Sequence, residues 1–311
     1  MSFFRYETGK EKEGFERSAV YIIVAITAVG GLFLLSNLFG NLVYVLLMKV
    51  FKVPMNILAA YSWIAELVVA ALLISVFFGI SKAVFVREDK ALRSHALPDR
   101  EVCESMGVTG TPGIETGKAG FSGKLSLISM ILGAGVSGLS YLWVTLAAYI
   151  PYFEKSLRKM DADNATMSAA GGGMLYLFLS AAVVAPILEE VIFRGLVYRS
   201  LNKIKAGWFS VLVSAVVFGV YHMNAAQAVF ATGLGIVAAI VYAKTGNLLY
   251  PILVHMTNNL IGVIQSGIPE SAVFATNIFT ILMAVPTVYI LYRCVKGKAQ
   301  SDVISLKEAS K

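Results

Sequence analysis

The sequence predicts an all-α protein: a polytopic bundle of about eight transmembrane helices that encloses a polar chamber within the membrane. Hydrophobic residues make up 57% of the 311-residue chain, charged residues only 14%, and the mean hydropathy is +0.73. This composition is too apolar for a soluble fold of such length. The apolar runs are long and continuous, whereas barrel strands alternate in short segments, so we expect the spans to be helical.

Eight apolar segments follow one another, and a long polar loop at 81–124 separates the second from the third. Residues 1–124 are therefore predicted to hold two N-terminal helices and a cytoplasmic loop, residues 125–292 six further helices, and residues 293–311 a cytoplasmic tail. Within the third segment, Ala134 and Gly138 form a small-residue stripe suited to close helix packing. The expected spans are 18–50, 57–80, 125–150, 172–201, 208–222, 225–243, 248–265 and 272–292.

Basic residues predict the orientation of these spans. With a cytoplasmic N-terminus, 21 of the 26 Lys and Arg residues fall in cytoplasmic segments and 5 fall outside. Such asymmetry is what orientation by positive charge produces. We therefore expect both termini in the cytoplasm of a cell whose plasma membrane holds the protein. The net charge of +7 is explained by cytoplasmic loops in contact with the bilayer, and no nucleic-acid partner is expected.

Three ionisable residues stand close together at the end of the fourth apolar segment: Glu189, Glu190 and Arg194. Charged side chains are costly in a bilayer and by default mark a functional site. Glu190 and Arg194 are four residues apart on one helical face, in the favourable order for an ion pair. Glu189 points about 100° away, is left without a cation of its own, and is the candidate base.

Two later segments bring further polar groups to the same depth. Glu189 and His222 each lie roughly 21 Å from the cytoplasmic turn between their helices, and His255 and Asn259 lie roughly 16 and 22 Å from the next one. His222 shares a helical face with Phe218, as His255 does with Asn259, because each pair is four residues apart. The sequence therefore predicts one polar chamber built from three helices.

Three ordered motifs carry a family resemblance. Glu189-Glu190-x-x-x-Arg194, Phe218-x-x-x-His222 and His255-x-x-x-Asn259, on successive apolar stretches, resemble the CPBP (CAAX protease and bacteriocin-processing, or Abi) family of intramembrane glutamic endopeptidases. The resemblance covers about 172–265, and the first three spans carry no comparable signature.

The resemblance implies glutamate-dependent hydrolysis of peptide bonds in membrane-anchored protein or peptide substrates, without a cofactor. By position, Glu189 corresponds to the general base that takes a proton from water, and His222 to the residue that orients this water. His255 and Asn259 correspond to donors to the developing oxyanion. The implied catalytic residues are Glu189, Glu190, His222, His255 and Asn259, with Arg194 and Phe218 in support.

Three other functions fit the same residues. Two histidines and two carboxylates could bind Zn²⁺ in a metalloendopeptidase, although the His-Glu-x-x-His helix of common zinc proteases is absent. The polar groups could instead hold helices together in a bacteriocin-immunity or scaffold protein. A proton-coupled carrier could use Glu189 and His222 as a relay, but the two halves of the chain share no repeated pattern.

Overall fold

The computed structural model describes residues 11–85, 121–169 and 172–308, and these parts of the chain are helical and contain no strand. The predicted helical membrane bundle is therefore confirmed. Much of the polar loop at 81–124 lies outside the described residues. The helices are α1 (Glu11–Val45, continued by a π turn at Leu46–Val50), α2 (Met55–Val84), α3 (Gly123–Ala147), α4 (Glu154–Ala169), α5 (Gly173–Ile204), α6 (Trp208–Tyr221), α7 (Ala225–Thr245), α8 (Leu249–Ser266) and α9 (Glu270–Glu308).

Six helices in the described residues, α1, α2, α3, α5, α7 and α9, are long and apolar enough to cross a membrane. The protein is thus an integral multi-pass membrane protein. The other two predicted spans correspond to α6, an apolar helix of 14 residues, and to α8, which has 18 residues and carries His255, Asn258 and Asn259. The count of eight spans stays a prediction, since these two helices are shorter or more polar.

Helix α5 contains two π turns, at Phe178–Val184 and Phe193–Tyr198. The first of them precedes Pro186, whose ring would clash with the carbonyl one α-helical turn earlier. In this wider turn the Ala185 N–H bonds to the carbonyl of Ser180, five residues back. The next carbonyl, that of Ala181, would pair in the same pattern with Pro186, which has no N–H. Proline therefore leaves one carbonyl of α5 without a helical donor.

Close packing on α3 holds the C-terminal helices together. A Cβ atom at Gly138 would lie 2.3 Å from the Thr280 carbonyl oxygen of α9, and one at Gly133 would lie 2.3 Å from the Val254 carbonyl oxygen of α8. Only glycine permits such backbone approach. The small-residue packing predicted for Gly138 is confirmed, and Gly133 extends it to the helix that carries His255.

Helix α4 was not expected, because the segment between the third and fourth spans reads as a loop. Mostly polar residues form it, so no hydrophobic periodicity reveals it. Exposed pairs four residues apart support it, such as Lys159 with Asp163 at 2.5 Å. Its Ser156 accepts a hydrogen bond at Oγ from the Ala226 N–H at 2.9 Å, and its carbonyl accepts one from Asn224 Nδ2 at 2.8 Å. The helix is thereby fixed to the start of α7.

Candidate active site

A buried ion pair between Glu190 and Arg194 forms the base of the site. Arg194 Nη1 donates to Glu190 Oε1 at 2.7 Å, and both side chains are fully buried. The predicted ion pair is therefore confirmed. Arg194 Nη2 also donates to the Gly235 carbonyl of α7 at 2.9 Å, and the guanidinium lies 4.9 Å from the ring centre of Phe218. These contacts fix α5 against α6 and α7.

His255 connects the two adjacent glutamates. Its Nδ1 lies 2.9 Å from Glu190 Oε1, and its Nε2 lies 3.6 Å from Glu189 Oε2. A carboxylate can only accept at neutral pH, so Nδ1 carries the hydrogen in the contact with Glu190. As expected, the ion pair of Glu190 and Arg194 does not include Glu189. Helix α8 brings His255 to it, which the spacing within α5 could not reveal.

The two glutamates differ in access. The Glu189 side chain is 15% exposed, whereas that of Glu190 is fully buried. Within the described residues Glu189 makes no hydrogen bond, since its contact with His255, at 3.6 Å, is too long to be one. Glu190 Oε1 instead receives hydrogen bonds from both Arg194 and His255. Glu189 is thus the carboxylate that can meet a water molecule or a substrate.

His222 ends α6 and faces the same cluster. Its Nδ1 lies 2.9 Å from the Phe218 carbonyl oxygen, which can only accept, so Nδ1 carries the hydrogen and Nε2 is an acceptor in the neutral ring. The Phe218 ring is fully buried between the two histidines, with its centre 4.9 Å from that of His222 and 5.5 Å from that of His255. Phe218 therefore sets the spacing of the two imidazoles.

Asn259 is engaged in a contact between helices. Its Nδ2 donates at 2.9 Å to the carbonyl of Ala181, the group that Pro186 deprives of a helical donor. Its Oδ1 accepts from Asn258 Nδ2 at 3.0 Å. An amide nitrogen has two hydrogens, so one donor remains. Asn259 thus joins α8 to the π turn of α5, one helical turn from His255.

Comparison with known proteins places this segment in a family. The sequence profile of a family described as Type II CAAX prenyl endopeptidase Rce1-like matches residues 171–261, which include all three motifs of the candidate site. This segment is thus similar to the CPBP/CAAX-protease family that its three motifs resemble.

Two curated proteins are similar to part of the chain. The chain is 29% identical over 140 residues to the putative membrane peptidase YdiL of Bacillus subtilis (strain 168), covering 41% of this chain and 57% of YdiL. It is 28% identical over 109 residues to the membrane-embedded CAAX protease MroQ of Staphylococcus aureus (strain USA300), covering 33% of this chain and 44% of MroQ. The chain thus spans about half the length of these curated relatives. No solved structure matches it.

The described residues contain no group of three or more His, Cys, Asp or Glu side chains arranged to hold a metal ion. Zn²⁺ sites need at least three protein ligands around the ion. His95 and Cys103 lie outside the described residues. The arrangement of the described side chains therefore does not favour the zinc alternative.

Several contacts in and around the candidate site had no signal in the sequence. The carbonyls of Gly235 and Ala181 accept hydrogen bonds from Arg194 and Asn259, but every residue type has a carbonyl. Pro186 was a usable signal for Ala181, because a proline inside a helix frees a carbonyl about one turn earlier. Ser156 lies 68 residues from Asn224 in sequence and carries no motif.

Proposed function

We propose that this chain is an intramembrane endopeptidase that hydrolyses peptide bonds of membrane-associated protein or peptide substrates. The observation that carries the proposal is the contact between Glu189 and His255, at 3.6 Å, beside a second glutamate whose Oε1 already accepts from both Arg194 and His255. A partly accessible carboxylate next to a fixed imidazole is what the activation of water requires.

Glu189 is proposed as the general base. It takes a proton from a water molecule while the water oxygen attacks the carbonyl carbon of the scissile bond. The proton then passes to the amide nitrogen of the leaving group as the carbon–nitrogen bond breaks. The Nε2 atom of His222 supports this step as an acceptor that orients the second hydrogen of the water, since Nδ1 is held by the Phe218 carbonyl.

His255 and Asn259 are proposed as donors to the oxyanion. With Nδ1 held by Glu190, a protonated His255 has Nε2–H available beside Glu189. Asn259 has its second amide hydrogen available, because the first is bound to Ala181. Donors fixed in an apolar environment stabilise developing negative charge strongly, and the loss of one typically costs roughly 100- to 1000-fold in rate.

The proposal also includes a membrane-anchored substrate and a plasma-membrane location. One relative is named a CAAX protease and the other a membrane peptidase, which supports a membrane-anchored substrate with its scissile bond at the depth of the site. The excess of basic residues in predicted cytoplasmic segments supports a plasma-membrane protein with both termini in the cytoplasm.

Cleavage by the purified protein tests the proposal. Full-length protein in detergent, with and without exhaustive chelation, is incubated with a library of membrane-anchored peptides, and products are identified by mass spectrometry. We expect defined cleavage sites with wild type, retained after chelation, and none with Glu189→Gln. Activity that disappears with chelator and returns with Zn²⁺ would support the metalloendopeptidase instead. Absence of cleavage by wild type across the library would count against an endopeptidase.

A further inference from the structure

A cavity of about 350 Å³ lies between α1 and α2, and we call it the α1–α2 slot. It is lined by residues of α1 between Ser36 and Leu47, by residues of α2 between Leu58 and Leu73, and by Leu188 of α5. Its volume is within the range of roughly 300–1,000 Å³ typical of ligand sites. Leu188, which lines the slot, directly precedes Glu189 in α5.

Glu66 is the one charged side chain in the lining of the slot. One of its carboxylate oxygens accepts a hydrogen bond from the Tyr176 hydroxyl of α5. Among the described residues it forms no ion pair, and its side chain is exposed. An acid within a membrane-spanning helix is costly without a partner of opposite charge. Tyr176 is a neutral donor, so this hydrogen bond does not balance the charge of an ionised Glu66.

We propose that Glu66 is a specificity residue that binds a lysine or arginine side chain of the substrate, whose apolar segment occupies the α1–α2 slot. Lysine and arginine combine an apolar stem with a charged end. That shape matches a mostly apolar slot with one carboxylate. A hydrocarbon chain in the slot would instead remove water from the carboxylate without giving it a partner, which is unfavourable. The inference rests on the proposed endopeptidase function.

Two contacts between α2 and α5 give the distance from Glu66 to the candidate base. Tyr176 meets Glu66 at one end, and Ser81 Oγ donates to the Gly195 carbonyl at 2.8 Å at the other. Ser81 follows Glu66 by 15 residues, and Gly195 follows Tyr176 by 19.

Glu189 follows Tyr176 by 13 residues and so lies about two-thirds of the way between these contacts. On α2, two-thirds of the 15 residues between Glu66 and Ser81 is about 10 residues. Glu189 therefore lies level with a point about 15 Å from Glu66 along α2. An extended chain covers about 3.3–3.6 Å per residue. The basic residue is therefore expected about four residues from the scissile bond, on the side of the substrate nearer the start of α5.

A charge scan tests the proposal. A series of membrane-anchored peptides, each with one lysine replacing glutamine at a different position, is assayed for kcat/KM with full-length protein. We expect lysine about four residues from the cleaved bond to raise kcat/KM by about tenfold, as for a charge-assisted hydrogen bond. Glu66→Gln should abolish this preference, so that the lysine and glutamine peptides have equal kcat/KM, and Glu66→Lys should favour glutamate at the same position. Glu270→Gln, which removes an acid outside the slot, should retain the preference.

Binding separates this inference from the proposed function. The affinity of Glu189→Gln protein for the lysine and glutamine peptides is measured without any need for cleavage, and lysine should again be favoured about tenfold. Gly40 lines the slot, and no atom lies within 4 Å of a Cβ there, so Gly40→Leu should reduce the volume of the slot and weaken binding of both peptides. Equal affinities for the two peptides would overturn the role of Glu66. If Gly40→Leu weakens binding while charge has no effect, the slot holds an uncharged apolar group instead.

Discussion

His255 donates its Nδ1 hydrogen to Glu190 Oε1 at 2.9 Å, on the same oxygen that receives Arg194 at 2.7 Å. Glu190 is thus occupied by two donors, and the opposite edge of the His255 ring faces Glu189 at 3.6 Å. The two neighbouring carboxylates therefore differ in their contacts and in their access. Glu190 is bonded to the His255 ring, and Glu189 is the more exposed of the two, as its proposed role as base requires.

The first prediction separates these two glutamates. Glu189→Gln should abolish peptide cleavage with little loss of stability, because the amide keeps the shape but cannot take a proton. Glu190→Gln should leave the buried Arg194 without a counter-charge and lower the free energy of unfolding by roughly 3–5 kcal/mol. Product formation by mass spectrometry and thermal unfolding in detergent measure the two effects. Identical losses of activity, together with unchanged unfolding temperatures in both variants, would remove the basis for assigning different tasks.

The second prediction concerns the two hydrogens of Asn259. Asn259→Ala should lower turnover by roughly 100- to 1000-fold through loss of an oxyanion donor, and stability by only about 0.6 kcal/mol through loss of the bond to Ala181. Pro186→Ala supplies a backbone N–H for the Ala181 carbonyl. When Asn259→Ala is introduced into Pro186→Ala protein, it should lower stability by less than it does in the wild type, but it should lower turnover by the same factor.

The double variant decides between two tasks for Asn259. If its contribution is only to hold α5 against α8, Pro186→Ala should restore turnover as well as stability. Such recovery, measured as kcat for the single and double variants, would contradict the oxyanion assignment. The effects of Pro186→Ala and Asn259→Ala on stability should not simply add, because both substitutions act on the Ala181 carbonyl.

The third prediction is the orientation in the membrane. Reporter fusions at Asp161, in α4, and at Ser105, in the polar loop, should report opposite sides, with Ser105 in the cytoplasm. The reason is the excess of Lys and Arg in the segments assigned to the cytoplasm. Activity of paired cytoplasmic and external reporters measures it. Fusions that report the same side would overturn the predicted arrangement of spans.

Much of the fold follows from the sequence because membrane insertion is a simple physical constraint. Backbone groups in hydrocarbon must be paired internally, so a long apolar run can only be a helix. The predicted fifth span, 208–222, agrees with α6 to within one residue. The pair of Glu190 and Arg194 was predictable as well, since four-residue spacing fixes a common helical face. Local periodicity is sufficient for both.

Contacts between distant segments could not be predicted in this way. Spacing on α5 indicates where Glu189 points, but His255 reaches it only through the packing of α8. The bond from Asn259 to Ala181 depends on a π turn, which hydrophobic periodicity does not encode. Helix α4 has no apolar stripe and is fixed to α7 by Ser156 and Asn224. These features depend on side-chain and backbone contacts that no single segment determines.

The last prediction tests whether the position of His255 depends on close packing of α3. A Cβ at Gly133 would lie 2.3 Å from the Val254 carbonyl oxygen, and one at Gly138 would lie 2.3 Å from the Thr280 carbonyl oxygen. Either alanine must separate two helices, at a cost of roughly 1–3 kcal/mol each. Gly138→Ala should displace α9, which carries none of the candidate catalytic residues, whereas Gly133→Ala should displace α8 next to His255.

The two variants should therefore lose similar stability but differ in turnover. Displacement of a catalytic group by about 1 Å can cost about 100-fold in rate, so Gly133→Ala should lower kcat by that order while Gly138→Ala changes it little. Gly233→Ala is the matched control, because no atom lies within 4 Å of a Cβ there. Unfolding temperature and kcat for the three proteins measure the effects. Equal kcat in the two destabilised variants would mean that His255 tolerates movement of α8, and its proposed role as a positioned donor would then be untenable.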